Sequence, residues 1–591
     1  MKSFASLRAA FAVTAILLGA PLPLRAGDAP APLRLSFVNE NTTYGPTEAW
    51  FLFSYTGSSA NEFVGSILGS GPKSGPITFS AGAKASAGSY FSDVYRITDL
   101  ADGVEITATP STRIYVSLGQ KLDDKADVTT PSSPFSAFGS PSPTDMSDPN
   151  WPIRWDFFET TLSSPRSAND YGDISAINQL AIPLQIELYD SATELTQPHL
   201  LQSARTAPYP ATLAAQLQSL ATANVANNNL ASLPGNWHFR TPAGSPTPTN
   251  PHPNTFLRQT GPASGGTNPE WIGPYPSMND YATFVAKGCT TPIETTLTDT
   301  TSVADTVQQT YTMVTTASCS VANAVTGIKV SGTIETQTWN ASTMTWNAPT
   351  SDGKTYEMRI ALDTNPGQPT GAGYSLSNAL YGSAWQGNTG VSFWITDGGS
   401  PVSTTQADFL NSVSSNSTMA LQTVNQWMQN LYVGYNFGLI GNDSTVSNLP
   451  AGHHLIGVSL NDMGSAGWAE LKALIDQGEV QTSDVPFFQL RDGQNRPLYN
   501  QWAKIVFDNS QTVYGMQYSD MFQPLLALYS YQTNFLDNVY QPTVKNVLAW
   551  KVTILPDLVP EPGAIGSAAA AFVALFGVWR RTRSRRENSR R

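Results

Sequence analysis

The sequence predicts a mostly β protein, with a β-sandwich at its heart. Three observations lead there. Short runs in which apolar and polar residues alternate recur through the first part of the chain, separated by Gly, Ser and Pro turns. Charged residues make up 13% of the 591 residues, about half the usual share, and Thr, Ser, Asn and Gln take their place. The 45 Gly, 42 Pro and 10% aromatic residues complete a composition suited to strands and long loops.

Taken in order, 33–38 alternates and reads as a strand. So do 50–55, 89–97, 104–108 and 113–118, and strands at this spacing suggest a sandwich. Residues 182–188 are apolar at both parities, as in a strand buried on both faces. Residues 195–232 are rich in Ala, Leu and Gln and read as helical. Residues 241–275 carry Pro, Gly, Thr and Asn and read as a loop or linker. A short helix at 276–287 leads to a Thr-rich stretch, 290–350, with strand alternation. Amphipathic helices are expected at 405–432 and 464–477, and strands again over 498–554.

Both ends read as targeting segments. Lys2 and Arg8 precede an apolar run over 9–20, and small residues follow. That is a secretory signal over residues 1–26, with a cut after Ala26. At the other end stand Val559, Pro560, Glu561 and Pro562. An uncharged segment over 563–579 follows, then an Arg cluster. The segment meets the lower length limit for a membrane span, and the Arg cluster would stay cytoplasmic. This tail, 557–591, resembles the PEP-CTERM sorting signal of Gram-negative bacteria that make exopolysaccharide. The resemblance implies an exosortase-type sorting enzyme as partner, transient membrane insertion, and an address in the envelope or extracellular matrix.

The leader holds three of the 32 basic residues, and 561–591 holds seven Arg and two Glu. The remaining body has 22 basic and 42 acidic residues, a net charge of −20. Such a body repels nucleic acid and anionic lipid and suits neutral ligands. Cys289 and Cys319 are the sole cysteines. In an oxidising compartment they read as one disulfide, closing a loop of about 30 residues. Two Cys and five scattered His do not make a zinc site of the usual spacing, so no metal and no cofactor is expected.

Carboxylates and aromatics concentrate between Trp151 and Tyr189. This chain is otherwise poor in charge. The core of the segment is Trp155-Asp156-Phe157-Phe158-Glu159-Thr160-Thr161-Leu162, followed by Asp170-Tyr171-Gly172-Asp173-Ile174-Ser175 and by Ile177-Asn178-Gln179-Leu180-Ala181-Ile182-Pro183. Glycoside hydrolysis needs a carboxylic acid that protonates the leaving oxygen. Inverting enzymes add a base some 6.5–9.5 Å away that activates water. Aromatic faces can stack on sugar rings. Trp151, Trp155, Trp237, Trp271 and Trp385 are candidate platforms, with core or loop packing as the alternative for each.

These pieces resemble glycoside hydrolase family 64, the β-1,3-glucanases related in fold to thaumatin. So do Arg113-Ile114-Tyr115-Val116-Ser117, Tyr499 to Val506, and Val513 to Asp520, in the same order along the chain. The resemblance implies a thaumatin-like sandwich formed by 27–195 with 498–556. It implies a mixed α/β domain over 196–497, and a wide groove between the two that accommodates a β-1,3-glucan. The family's general acid falls on Glu159. Substrate contacts fall on Thr161 and Ser175, and Trp155 and Asp520 stand where ligand contacts are expected. For Asp520 turn capping is an equal alternative.

The family's general base is an Asp five residues ahead of a Pro. Here that position is Asn178, and a neutral amide does not accept a proton as a carboxylate does. Three readings follow. The protein is a glucan-binding relative without hydrolysis. Or Asp173, or Asp170, serves as the base from a shifted strand; an extended chain would place Asp173 on the opposite face from Asn178 and about 17 Å from it. Or Asn178 orients water for slow turnover. Beyond these stands a matrix or adhesion protein with no sugar site.

Overall fold

The computed structural model describes residues 32–81, 88–122, 150–164, 170–174, 179–206, 238–241, 255–260, 295–304, 307–319, 325–361, 390–414, 501–510, 526–527, 529–534 and 539–557, with single positions and short stretches between them. The protein is mostly β, and its strands form several sheets.

The first sheet system begins with β1 (Leu33–Asn39), β2 (Ala49–Thr56), β3 (Val64–Ile67), β4 (Gly75–Pro76), β5 (Phe79–Ala81) and β6 (Ser89–Arg96). It continues through β7 (Val104–Leu118), β8 (Arg154–Leu162) and β9 (Tyr171–Ile174). The sequence reads β7 as two strands, and the structure shows one. Its first third pairs with β1 and β3; the remainder pairs with β2 and β8. The register slips between Thr109 and Thr112, where Pro110 supplies no N–H and the two Thr hydroxyls bond to each other. That bend lets one strand serve two packed sheets.

β10 (Gln179–Leu180) leaves this system to pair with β14 (Phe256–Thr260), which in turn pairs with β13 (His238–Arg240). β11 (Leu184–Tyr189) and β12 (Leu200–Arg205) return to it as an antiparallel pair. β12 corrects the helical reading that begins at 195. Cross-strand pairing with β11 overrides the helix propensity of a Leu-, Gln- and Ala-containing segment. Residues 195–199 are likewise non-helical, Thr206 follows β12, and 207–232 lie outside the described residues.

A second sheet runs in the order β15 (Thr295–Ala304), β16 (Val307–Cys319), β17 (Val325–Asn340), β20 (Lys354–Ala361), β21 (Val391–Asp397) and β22 (Val402–Thr404). β18 (Thr345–Trp346) and β19 (Thr350–Ser351) append to β17. Thr positions fall opposite one another in its register, as in Thr298 opposite Thr312 and Thr312 opposite Thr333. The helix α1 (Gln406–Val413) is capped by Thr405, which accepts from the Asp408 N–H. It buries Phe409 against Tyr356 and Phe393 of the sheet. Cys319, at the end of β16, is disulfide-bonded; Cys289, the other cysteine of the sequence, lies outside the described residues.

The chain returns with α2 (Gln501–Asn509), then β23 (Leu526–Ala527), β24 (Tyr529–Asn534), β25 (Val539–Asn546) and β26 (Ala549–Ile554). α2 corrects the strand reading at its position. Ile505-Val506-Phe507 looks β-like in isolation, yet Trp502, Ile505 and Val506 recur at helical spacing and face the core. β26 lies between β1, to which it is parallel, and β11, to which it is antiparallel. One core fills the space between the packed sheets, with Leu33, Phe53, Ile114, Phe158, Ile186 and Val552 fully buried. Each such side chain contributes about 1.5–3 kcal/mol relative to exposure.

Among the described residues no helix is long and apolar enough to cross a membrane. The expected span 563–579, the sorting signal Val559 to Pro562, and the helices at 276–287 and 464–477 lie outside them.

Candidate active site

Alternation along β8 separates two faces. Phe158, Thr160 and Leu162 point into the sandwich core. Trp155, Phe157, Glu159 and Thr161 occupy the outer face. Register then carries that face across the sheet. Ser54 of β2 stands opposite Arg113 of β7, Arg113 opposite Glu159, and Glu159 opposite Asp173 of β9. These four residues form one row across four strands.

The row is electrostatically organised. Arg113 Nε donates to Glu159 Oε1 at 2.5 Å. The guanidinium also lies 4.9 Å from the centre of the Phe157 ring, a cation–π arrangement. Glu159 pushes the Arg113 pKa up, against the opposing effect of desolvation, which is the larger single influence. The two side chains keep 36% and 24% of their surface exposed, whereas Asp173 is 7% exposed. Directly opposed residues of an antiparallel pair hold their Cβ atoms about 4.5–5.5 Å apart, so the Glu159 and Asp173 carboxyls share one small region.

Core packing fixes β9 in that position. A Cβ on Gly172 would run into the Trp550 ring and stand 2.8 Å from the Glu159 carbonyl oxygen, so only glycine permits the close approach. Trp502 of α2, fully buried, donates its indole N–H to the Ala176 carbonyl at 2.8 Å. At the hairpin between β8 and β9, Asp170 accepts from the Ser163 N–H at 2.8 Å and is 1% exposed. Asp170 thus supports the turn, away from the row.

A second buried arrangement ties β8 to β10 and β11. Asp156 accepts N–H bonds from Phe157, Ala181 and Ile182. Burial pushes its carboxyl up to about 7, against those three donors. Gln179 donates to the Trp155 carbonyl at 2.8 Å. Arg154 donates twice to the Ala181 carbonyl and forms a bidentate pair with Asp557.

The row brings Glu159, Asp173 and Thr161 of the expected site together; Thr161 is half-buried on the same face, opposite Tyr171. Trp155 corrects one expectation. It is 2% exposed and packs against Tyr115, with the Arg258 guanidinium 5.3 Å from its ring. No face of it is open to a sugar, because the apolar layer of Leu52, Phe91, Ile153 and Phe157 covers the outer sheet there. Ser175, Asn178 and Asp520 lie outside the described residues, as do Trp237, Trp271 and Trp385. Among the described residues no group of His, Cys, Asp and Glu could hold a metal ion.

Ser54 and Arg113 are the members of the row that sequence reasoning did not select. For Arg113 a signal was present: a lone guanidinium in the apolar strand Arg113-Ile114-Tyr115-Val116 needs a partner.

The part-exposed Glu159 and the buried Asp173 thus stand opposite each other on one sheet face, and a pair of carboxyl groups is what glycoside hydrolysis uses. Residues 78–227 match the family model of glycoside hydrolase family 64, described as beta-1,3-glucanase, and that interval contains Arg113, Glu159, Asp173 and Asn178. Among solved structures, the chain is similar to a β-1,3-glucanase domain (GH64) from Clostridium beijerinckii, at 13% identity and a TM-score of 0.35, over 90% of this chain and 100% of that one. It is also similar to the GH family 64 laminaripentaose-producing β-1,3-glucanase from Paenibacillus barengoltzii complexed with laminarihexaose, at 17% identity and a TM-score of 0.24, over 41% and 51% of the two chains. No curated protein matches the sequence.

Proposed function

We propose that this protein is a β-1,3-glucan-cleaving glycoside hydrolase whose acid is Glu159 and whose base is Asp173. The observation that carries the reading is the register of β8 against β9, which sets the two carboxyls opposite each other on one face. The match of residues 78–227 to the β-1,3-glucanase family supports the substrate class.

The chemistry is an inverting displacement. Protonated Glu159 gives its proton to the leaving glycosidic oxygen as the C1–O bond breaks. Asp173 takes a proton from a water molecule whose oxygen forms the new bond to C1. Thr161, beside Glu159 on the same face, is placed to hydrogen-bond a sugar hydroxyl. The net charge of −20 on the body suits a neutral polymer. By the signals at its two ends, the protein is exported and its tail is handed to a membrane sorting enzyme, leaving the body at the cell surface or in the matrix.

A second reading is a glucan receptor without turnover. It is favoured by Asn178, which stands where the family resemblance expects the base. One experiment separates the two. The purified protein is incubated with linear β-1,3-glucan, and co-sedimentation and new reducing ends are measured on the same sample. Cleavage that disappears in Glu159→Gln establishes the hydrolase. Binding without cleavage, with activity gained in Asn178→Asp, establishes the receptor. Neither binding nor cleavage removes the glucan reading.

A further inference from the structure

We propose that Arg113 is a positioning residue that holds the two carboxyl groups of the site apart, by tying Glu159 to the β7 side of its strand; this rests on the hydrolase reading above. Arg113 and Asp173 flank Glu159 from opposite sides, one on β7 and one on β9. Direct cross-strand opposition starts the carboxyls from Cβ atoms about 4.5–5.5 Å apart. Inversion needs about 6.5–9.5 Å between them, room for one water. The backbone alone does not supply that spacing, so the side chains must diverge.

The bond from Arg113 Nε to Glu159 Oε1 ties the Glu159 head to a residue of β7, the strand on the opposite side of β8 from β9. Arg113 is itself fixed, because its guanidinium lies over Phe157. Phe157 is buried with Tyr115 and Trp155. The anchor therefore belongs to the packed outer layer of the sheet.

Charge requires the same group. Arg113 of β7 is ion-paired to Glu159, and Tyr115 of the same strand interacts with that guanidinium; Asp173 of β9 stands opposite Glu159 on the other side. Remove the guanidinium, and Glu159 loses its ion-pair partner while still facing Asp173; two carboxyls so placed can relax by sharing a proton. Lysine would restore the charge but not the planar, stacked geometry.

The test uses the full chain with Arg113→Met, which keeps an apolar stem over Phe157, and with Arg113→Lys. Three measurements are made: kcat and KM on linear β-1,3-glucan, the pH profile, and the separation of the Glu159 and Asp173 carboxyls in crystal structures at mildly acid pH. Arg113→Met is expected to lose about 100-fold in kcat, the cost of a misplacement near 1 Å, with KM within about threefold. Both limbs of its pH profile should move to higher pH, because the coupled pair loses its cation. Its carboxyls should close to within about 5.5 Å, as in sites with no room for water. Arg113→Lys should recover part of kcat. If Arg113→Met does not fold, Arg113→Gln carries the same comparison. An unchanged carboxyl separation, or full kcat in the neutral variant, overturns the proposal. If the wild type cleaves no glucan, the hydrolase reading fails by itself, and the crystallographic separation still decides the role of Arg113.

Discussion

Glu159 and Asp173 face each other directly across the antiparallel pair β8–β9. An extended chain would have placed Asp173 far from the position the family pattern gives its base. Among the described residues, Asp173 is the carboxylate that stands opposite Glu159, and the proposed function makes it the base. Asp173→Asn should therefore lower kcat about 100- to 10,000-fold, the range for loss of a general base, while co-sedimentation with glucan persists. Full activity in Asp173→Asn would instead return the base to the segment around Asn178.

Gly172 predicts a coupling between core and site. Gly172→Val places methyl groups where the Trp550 ring and the Glu159 carbonyl already stand. Overpacking of this kind costs about 1–3 kcal/mol. The strain falls one residue from Asp173, so activity should fall further than the loss of folded protein explains. Thermal unfolding and specific activity, measured on the same preparation, check this. Loss of stability with normal specific activity would show that β9 adjusts freely.

The parts of this arrangement differ in how far the sequence reveals them. Alternation through Trp155 to Leu162 exposes the strand, and the neighbours Phe157 and Phe158 already announce burial on both faces. Glu159 is singled out by the family resemblance, since Asp156 interrupts the same apolar stretch and turns out to be buried under backbone donors. The partner of Glu159 is not legible, since it depends on the register of β9 against β8, which the packing of Gly172 against Trp550 helps to set. The placement of β26 beside β1 joins residues more than 500 positions apart, beyond any local signal. Trp502 misleads for a different reason. The β-branched Ile505 and Val506 suggest a strand, and only the spacing from Trp502 reveals the helix. Trp155, rich in promise as a sugar platform, is claimed by the apolar outer layer instead.

The bond between Arg154 and Asp557 ties the strand that carries Glu159 to the end of the folded body. The Arg154 side chain is 1% exposed and that of Asp557 16%. Removing one member leaves a buried charge uncompensated, at about 3–5 kcal/mol. Asp557→Ala should lower the unfolding midpoint strongly. Arg154→Met combined with Asp557→Ala should lower it less than the sum of the single changes. Strict additivity of the two in denaturant titrations would mean that the pair contributes no coupling.

Asp156 sets a pH dependence of stability that is separate from catalysis. Its unperturbed value is 3.8, and burial raises it to about 7 in the folded protein. For a raised carboxyl the sign is definite. Below about pH 4 both states hold the proton, and the contribution is fully present. Between about 4 and 7 the unfolded chain has released its proton while the folded protein keeps it, so stability falls as pH rises. The interval corresponds to about 4 kcal/mol at most. Asp156→Asn removes the titration. It also turns an amide N–H toward backbone N–H groups that now donate to the Asp156 oxygens, and leaving buried donors unsatisfied costs about 1–3 kcal/mol each. The variant should therefore be less stable throughout, with a flatter decline from pH 4 to 7 than the wild type. Parallel pH profiles for the two proteins, from urea unfolding, would place the titration elsewhere.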